Sequence, residues 1–447
     1  MTHAEKPAAR NTAPLRLGIA GLGTVGVGVL RLLEQNRDLV QARAGRAIEV
    51  VAVHARDRAK DRGVDLAPYA WAETMEDLAS NPDVDLVVEL VGGSDGPALS
   101  LAEAALERGK GVVTANKAMI AHHGHRLAKL SESGGGALRF EAAVAGGIPV
   151  ISGLREGAAG NALERVYGIL NGTSNYILSE MESSGADFAE TLGEAQKLGY
   201  AEADPAFDID GVDAAHKLAI LSALSFGTQV DFDGVEIEGI RQVRAVDIAR
   251  ADALGYVVRL IGVADIDDNG NGGDAPRLLQ RVRPCLIPKN HPLAPIDGAT
   301  NAVVAEGNFA GRLMFQGAGA GEGPTASAVM ADIVAVARGD RTPPFSVLAD
   351  TLRAADRADS GARIARSYLR FSVADRPGVL AELTAAMRDA DVSIESLIQD
   401  GESGEDGVLV AMVTHAGPVA NVRRAIALLE NSPSLTGQPL VMPILRS

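Results

Sequence analysis

Cysteine is nearly absent. A single thiol, Cys285, excludes an intrachain disulfide and fits a reducing, cytoplasmic setting. It lies in an apolar, strand-like run over residues 282–287, which reads as a buried structural thiol rather than a nucleophile. Aromatic residues are scarce at 4 %, while glycine is abundant at 50 residues. Small side chains must therefore do much of the packing, and many turns are glycine-enabled. Positive charge is outweighed: 42 Lys and Arg face 58 Asp and Glu, for a net charge of −16. This argues against a nucleic-acid partner, because nothing offsets phosphate repulsion, and leaves small-molecule substrates open. No apolar run approaches the roughly 18 residues of a membrane span, so no membrane partner is expected. Residues 1–13 are polar and alanine-rich, lack an apolar signal core, and read as a disordered lead-in.

What is present points to several domains. A chain of 447 residues exceeds one typical core and predicts about two to four. Residues 15–20 read as a buried strand, followed at once by Gly21-Leu22-Gly23-Thr24-Val25-Gly26 and an apolar helical pattern through Val29, Leu30 and Leu33. This is G-x-G-x-x-G between a strand and a helix. Its glycines let backbone N–H groups near a pyrophosphate, and the helix N-terminus favours the anion. A second strand, 48–53, leads into His54-Ala55-Arg56-Asp57-Arg58. Arg56 there can meet a 2′-phosphate, which favours NADP, while Asp57 keeps NAD open. A strand over 84–91 ends in Gly92-Gly93-Ser94; a helix over 97–108 and a strand over 111–114 lead to Ala115-Asn116-Lys117. The alternation predicts a parallel sheet with ligands at the strand C-terminal ends. Lys117 stands at such an end, either as a solvated loop lysine or as a cation near nicotinamide or substrate. A further strand is expected over 140–144. Glu141 and the glycine-rich turn after it offer a carboxylate and free carbonyls suited to a hard cation, or a turn of purely conformational role.

In the middle of the chain, residues 163–170 read as a strand, and Asn171-Gly172-Thr173-Ser174-Asn175-Tyr176 precedes a helix over 173–183. Thr173 or Ser174 can cap it, and its free N–H groups can take a substrate carboxylate or simply be capped. After a helix over 189–198, residues 201–217 concentrate five carboxylates and Lys217. A helix over 212–226 would put Asp213 and Lys217, four residues apart, on one face. The pair fits two readings: a lysine aimed to protonate a carbonyl oxygen, or a surface ion pair of little worth. Runs at 257–264, 280–287, 301–306 and 312–316 suggest an antiparallel or mixed sheet covered by helices, with an exposed loop over 265–274. Residues 317–327, glycine-rich and including Gly321, open a helix to 338 that is expected to fold back onto the first domain. Residues 341–366 read as a linker. Strands over 368–374, 392–399, 407–415 and 439–445, with helices over 377–389 and 418–430, give the order β-α-β-β-α-β of a ferredoxin-like module. The segment Asp375-Arg376-Pro377-Gly378-Val379-Leu380 resembles the ACT-domain motif.

Together the Gly21 fingerprint, Asn116-Lys117, residues 141–149, 171–176, 202–217 and 317–327 resemble homoserine dehydrogenase over nearly the full length. The resemblance implies an α/β protein: a Rossmann-type NAD(P)-binding domain over 14–145, an α+β substrate and dimerisation domain over 146–340, and an ACT regulatory domain over 367–447. It implies reversible interconversion of L-aspartate 4-semialdehyde and L-homoserine in a homodimer or homotetramer. By motif, Lys217 resembles the family's proton donor, and Lys117 a lysine assigned to cofactor or substrate contact and sometimes to catalysis. Glu202, Asp208 and Asp213, with Gly172, Thr173 and Tyr200, fall on the substrate side. Gly21, Gly23, Thr24, Val25, Gly26, Arg56, Gly92 and Gly321 fall on the cofactor side. Glu141, Val144, Gly146 and Ile148 match a monovalent-cation site for sodium. Asp375, Gly378 and Val379 match an amino-acid effector site, with L-threonine as the implied effector. The chain departs from the family pattern at Phe207 and Ile209, where some relatives carry polar residues. Two other classes compete. An ACT-bearing 2-hydroxy-acid dehydrogenase needs a histidine beside a carboxylate, and His122, His123 and His125, read as one loop, show no such pair. A non-enzymatic amino-acid sensor has no visible DNA-binding element and the acidic charge against it.

Overall fold

The computed structural model describes residues 13–267, 275–399 and 407–446. The expected lead-in, apart from Ala13, lies outside these residues, as does the expected loop from 268 to 274. By internal contacts the chain forms two compact units. One comprises the chain up to Asn161 with Ala219–Phe232 and Gly317–Arg353; the other comprises Ala162–Leu218, Asp233–Gln316 and the chain from Ala354.

Among the described residues, the first unit holds a six-stranded sheet. Its strands are β1 (Leu15–Ala20), β2 (Ile48–His54), β3 (Ala70–Trp71), β4 (Leu86–Glu89), β5 (Gly111–Thr114) and β6 (Leu138–Arg139). They lie in the order β3-β2-β1-β4-β5-β6, and every neighbouring pair is parallel. Strands covered on both faces read as near-continuous apolar runs, and Leu86, Val87, Val88, Val112 and Val113 are all 0 % exposed. Strand order reverses between β1 and β4, which is where doubly wound sheets open a ligand crevice. Helix Thr24–Gln35 packs on helix Glu322–Ala337. Gly28 permits that approach, since a Cβ there would lie 2.7 Å from Glu322 Cγ, and Arg31 pairs with the Glu322 carboxylate at 2.7 Å.

Three expectations for this unit are corrected. Residues 140–144 are not a strand: β6 ends at Arg139, and Glu141–Ala143 is a 3-10 turn. The Glu141 carboxylate accepts from the amides of Ile151 and Ser152, and its own N–H donates to Asp332, so local bonds displace a sheet ladder. The three histidines lie in helix Lys117–Gly134, not in a loop. Part of the expected linker is packed: Phe345 is 0 % exposed, its ring 5.2 Å from that of Phe140, ahead of the short turn Ala349–Thr351.

The second unit is built on a mixed sheet of β7 (Leu163–Ile169), β8 (Val235–Ile237), β9 (Tyr256–Asp267), β10 (Arg277–Pro288), β11 (Thr300–Gly307), β12 (Gly311–Ala318) and β13 (Asp356–Arg357). The order is β12-β11-β7-β9-β10-β13, with β8 also pairing β10. The pairs of β8 and β13 with β10 are parallel, and the ladders β11–β7, β7–β9 and β9–β10 are antiparallel. Residues 265–267, expected as loop, extend β9 because they pair with β10. Strand β14 (Ile364–Ala365) precedes β15 (Ser367–Val373), helix Val379–Asp389, β16 (Ile394–Gln399), β17 (Val408–Thr414), β18 (Gly417–Pro418), helix Val419–Leu429 and β19 (Leu440–Pro443). The antiparallel order β16-β17-β15-β19, with β14 paired to β18 alongside, is ferredoxin-like.

A buried polar contact ties that module to the helix Ala245–Ala253. Arg370 Nε donates to Asp247 Oδ1 at 2.9 Å and the Tyr368 hydroxyl donates to the same oxygen at 3.1 Å. Asp247 is 0 % exposed, and burial pushes its carboxyl above the ordinary range against the opposing pull of Arg370. Removing one partner of a buried pair strands the other, so Arg370→Ala should cost about 3–5 kcal/mol in denaturant unfolding. A loss near zero would show that Asp247 is satisfied without it.

Candidate functional site

The first unit builds a cradle at the end of β1. Gly21 takes φ +97, and a Cβ there would lie 2.5 Å from the Leu90 carbonyl oxygen. Gly26 approaches so closely that a Cβ would meet the Gly21 carbonyl oxygen at 2.0 Å. Gly23 differs: within 4 Å a Cβ would meet nothing in the protein. Helix Thr24–Gln35 starts there with no side-chain cap and no acidic residue in its first turn. Its free N–H groups and open front suit a pyrophosphate. The facing loop is held by Glu89, a residue that sequence reasoning missed. Its carboxylate is 0 % exposed and accepts from the amides of Val91 and Gly92 at 2.7 and 3.1 Å and from the Thr114 hydroxyl at 2.5 Å. The available signal was an acidic residue closing an otherwise apolar strand. Asn116 completes the loop by donating to the Gly93 carbonyl at 2.7 Å and capping helix Lys117–Gly134. Lys117, half-buried, is that helix's first residue.

The arginine-rich stretch after β2 is divided in its tasks. Arg58 lies over the Trp71 ring at 5.5 Å. Arg62 donates to the Leu22 carbonyl at 3.1 Å and the Asp57 carbonyl at 2.5 Å, joining this loop to the glycine turn. Arg56 is exposed and has no partner among the described residues. These residues fit a dinucleotide, and Arg56 fits a 2′-phosphate. Gly321, at φ +117, is the residue before helix Glu322–Ala337.

Residues 141–152 form a second feature of this unit. Glu141 is 3 % exposed and its two oxygens accept from the amides of Ile151 and Ser152 at 2.8 Å each. Ala145 and Gly146 take φ 57 and 49, both in the left-handed region. Glu141 and the carbonyls of Val144, Gly146 and Ile148 are all oxygen donors, the chemistry a hard cation requires, and the Ile148 carbonyl also accepts from Val150 N at 2.7 Å. Burial and the neighbouring Glu141 raise Asp332 to about 7, and burial raises Glu141 as well.

In the second unit, helix Val212–Phe226 carries Asp213 and Lys217, which are 4 % and 8 % exposed. The surface ion pair considered from the sequence is therefore replaced by a buried one. Lys217 Nζ donates to Asp213 Oδ2 and to the Leu170 carbonyl, each at 2.7 Å. The same Asp213 oxygen accepts from Asn171 Nδ2 at 2.8 Å, and the other hydrogen of that amide goes to Asp208 Oδ1 at 2.7 Å. Burial, then the charge of Asp213, push the Asp208 carboxyl above its usual range. Asn301 supports Leu170 by donating to its carbonyl at 3.0 Å. The cap of helix Gly172–Ser184 is Asn171, whose Oδ1 accepts from Ser174 N at 2.7 Å, and not Thr173 or Ser174. Thr173 instead donates to the Tyr200 carbonyl at 3.0 Å, and the Tyr200 ring stacks on Tyr176 at 4.2 Å. Glu202 is exposed. Phe207 packs against His216 with ring centroids 5.5 Å apart, and Ile209 is 0 % exposed. Sequence reasoning missed Asn171 as a side-chain partner, although its place before a helix was a signal; nothing in the sequence marked Asn301.

The loop Asp375–Gly378 is exposed between β15 and helix Val379–Asp389. Gly378 takes φ +95, and Val379 is buried. Arg376 and Glu382 tie the loop to Ser432 and Ser434. A histidine–carboxylate pair, unexpected from the sequence, joins His123 Nε2 and Asp95 Oδ1 at 2.8 Å; the Asp95 side chain is 71 % exposed.

The glycine cradle on a doubly wound sheet and the buried lysine network define a nicotinamide-nucleotide oxidoreductase with an appended ACT domain. Family models agree: that of the homoserine dehydrogenase NAD-binding domain matches residues 21–141, that of homoserine dehydrogenase 149–334, and that of the ACT domain 367–431. The chain belongs to the homoserine dehydrogenase family. It is 42 % identical to the homoserine dehydrogenase of Pseudomonas aeruginosa over 95 % of this chain and 97 % of that one. It is also 42 % identical to that of Synechocystis, over 96 % and 99 %. The crystal structure of a homoserine dehydrogenase from Thiobacillus denitrificans superposes with a TM-score of 0.88 at 41 % identity, covering 97 % of this chain and 98 % of that one. A hyperthermophilic archaeal homoserine dehydrogenase in complex with NADPH gives a TM-score of 0.61 at 26 % identity, over 72 % of this chain and 97 % of that one.

Proposed function

We propose that the chain reduces L-aspartate 4-semialdehyde to L-homoserine, reversibly, with NADPH preferred and NADH accepted. The observation that carries this reading is the buried Lys217 ammonium fixed by Asp213 and Leu170. The cofactor, when bound, supplies hydride to the carbonyl carbon. Gly21, Gly23, Gly26 and the amides of Thr24 and Val25 hold its pyrophosphate, Gly92 borders it, and Arg56 takes the 2′-phosphate. Gly321 and Lys117 belong to the same cofactor set. Lys217 Nζ donates the proton to the aldehyde oxygen, and Asp213 aims it. Asp208, Asp213 and Glu202 take the substrate amine and hydroxyl, with Gly172, Thr173 and Tyr200 lining the substrate set. Because hydride and proton come from fixed groups, orientation is the main task left to the protein.

Loss of NADPH absorbance on adding aspartate 4-semialdehyde tests the reading. No turnover with that aldehyde, alongside turnover of a 2-oxo acid, would overturn it.

Sodium held by Glu141 and the carbonyls of Val144, Gly146 and Ile148 is part of the proposal. The adjacent carboxylates of Glu141 and Asp332, each 3 % exposed, support it, because buried negative charge calls for a nearby cation. Exchanging Na+ for choline at constant ionic strength should slow turnover, and an unchanged rate would remove the cation from the account.

L-Threonine is the proposed effector at Asp375, Gly378 and Val379, and a flat activity response to it would count against that. The proposed assembly is a homodimer or homotetramer, supported by the edge strand β16, which leaves Leu397 37 % exposed. The free thiol Cys285 supports a cytoplasmic location.

A further inference from the structure

The second unit holds a cavity that the proposed reaction does not use. It measures ≈ 500 Å³ and lies against strands β7, β9 and β10, next to residues 363–366 and 443–446. Its size falls in the range of small-molecule sites, about 300–1,000 Å³. Five guanidinium groups line it, those of Arg165, Arg281, Arg363, Arg366 and Arg446, against the single carboxylate of Asp265. That carboxylate is already shared: Arg363 reaches one oxygen at 2.5 Å and Arg165 the other at 3.4 Å. Arg366 is engaged elsewhere, with Glu395 at 2.5 Å. Arg281 is left over. Its Nε is buried without a hydrogen-bond partner, and among the described residues its guanidinium has no ion pair. Cys285, which also lines the cavity, does not serve as its counter-ion, because burial raises that thiol to about 11 and keeps it neutral.

Placing a permanently charged group there without a partner is costly, and a guanidinium fork matches the paired oxygens of phosphate or carboxylate. We infer that this cavity binds a small, multiply charged oxyanion, phosphate-bearing or dicarboxylate, seated on Arg281. Arg165 and Arg363 flank it and keep Asp265 between them as their own counter-ion. Such a ligand would clamp three separate stretches together: the sheet, the 363–366 segment and the chain's last described residues.

The test uses full-length protein saturated with NADP+, so that phosphate cannot report on the cofactor cradle. Inorganic phosphate and succinate are titrated separately by calorimetry, with chloride holding the ionic strength. At least one should bind the parent protein and raise its melting temperature. The phosphate arm and the succinate arm distinguish the two ligand types. Arg281→Gln should weaken that binding about tenfold or more, the equivalent of about 1.4 kcal/mol, leave NADPH oxidation without the anion unchanged, and melt no lower than the parent when anion-free. Neither probe outcompeting chloride would overturn the inference, as would equal binding by Arg281→Gln. A variant that melts well below the parent would reveal an internal partner for Arg281. One that falls apart into smaller species would assign the cavity to a carboxylate from a second copy. Either result also overturns it.

Discussion

Lys217→Met should lose turnover by about 10²- to 10⁴-fold, the range of a positioned proton donor, while NADPH binds as tightly as before. The geometry fits the proposed role of this one ammonium. Two of its three hydrogens go to Asp213 and Leu170, which leaves one for the substrate oxygen. The substitution also strands Asp213 in a buried position, so some stability is lost. The comparison is therefore made well below the melting transition, with NADPH binding as the check on folding. Lys217→Arg separates proton transfer from charge. Arginine keeps the positive charge but holds its proton at any working pH. If Lys217→Arg turned over at near the parental rate, Lys217 would be an electrostatic support and the donor would lie elsewhere.

The second large effect is a contrast between two glycines. Gly23→Ala should leave the melting temperature unchanged and weaken NADPH, because its Cβ enters space that is empty in the protein and that a pyrophosphate needs. Gly23 already has ordinary φ and ψ of −80 and −161, so alanine adds no backbone strain. Gly26→Ala should damage both properties, since the Cβ would press on the Gly21 carbonyl oxygen from 2.0 Å. Each N–H group displaced from an anion costs about 1–3 kcal/mol, or about five- to 150-fold in affinity. If Gly23→Ala bound NADPH normally, the cofactor would not approach the chain at this turn.

The parts of the molecule that were legible share a physical reason. The first sheet showed through because strands buried on both faces are unbroken apolar runs and the glycine turn follows one directly. Helix Val212–Phe226 was found with its bounds intact because Gly211 and Gly227, at φ +87 and +62, mark both ends. Helix Lys117–Gly134 was hidden by three histidines and Gly124, which together look like a loop. In the structure Gly124 is required by packing, since a Cβ would lie 2.9 Å from the Phe345 ring. The site was half legible. Asp213 and Lys217 declare themselves by helical spacing, but Asn171, Leu170 and Asn301 join them across distances in sequence that no periodicity records.

Asn171 has a consequence for shelf life. Both hydrogens of its amide are committed to carboxylates and its oxygen caps a helix. Its neighbour is Gly172, and an asparagine followed by glycine is chemically prone to deamidation. Conversion to aspartate would exchange the shared donor for a third negative charge facing Asp208 and Asp213. Aged preparations should thus lose activity in step with a one-charge acidic shift mapped to this position, even where the rest of the chain is intact.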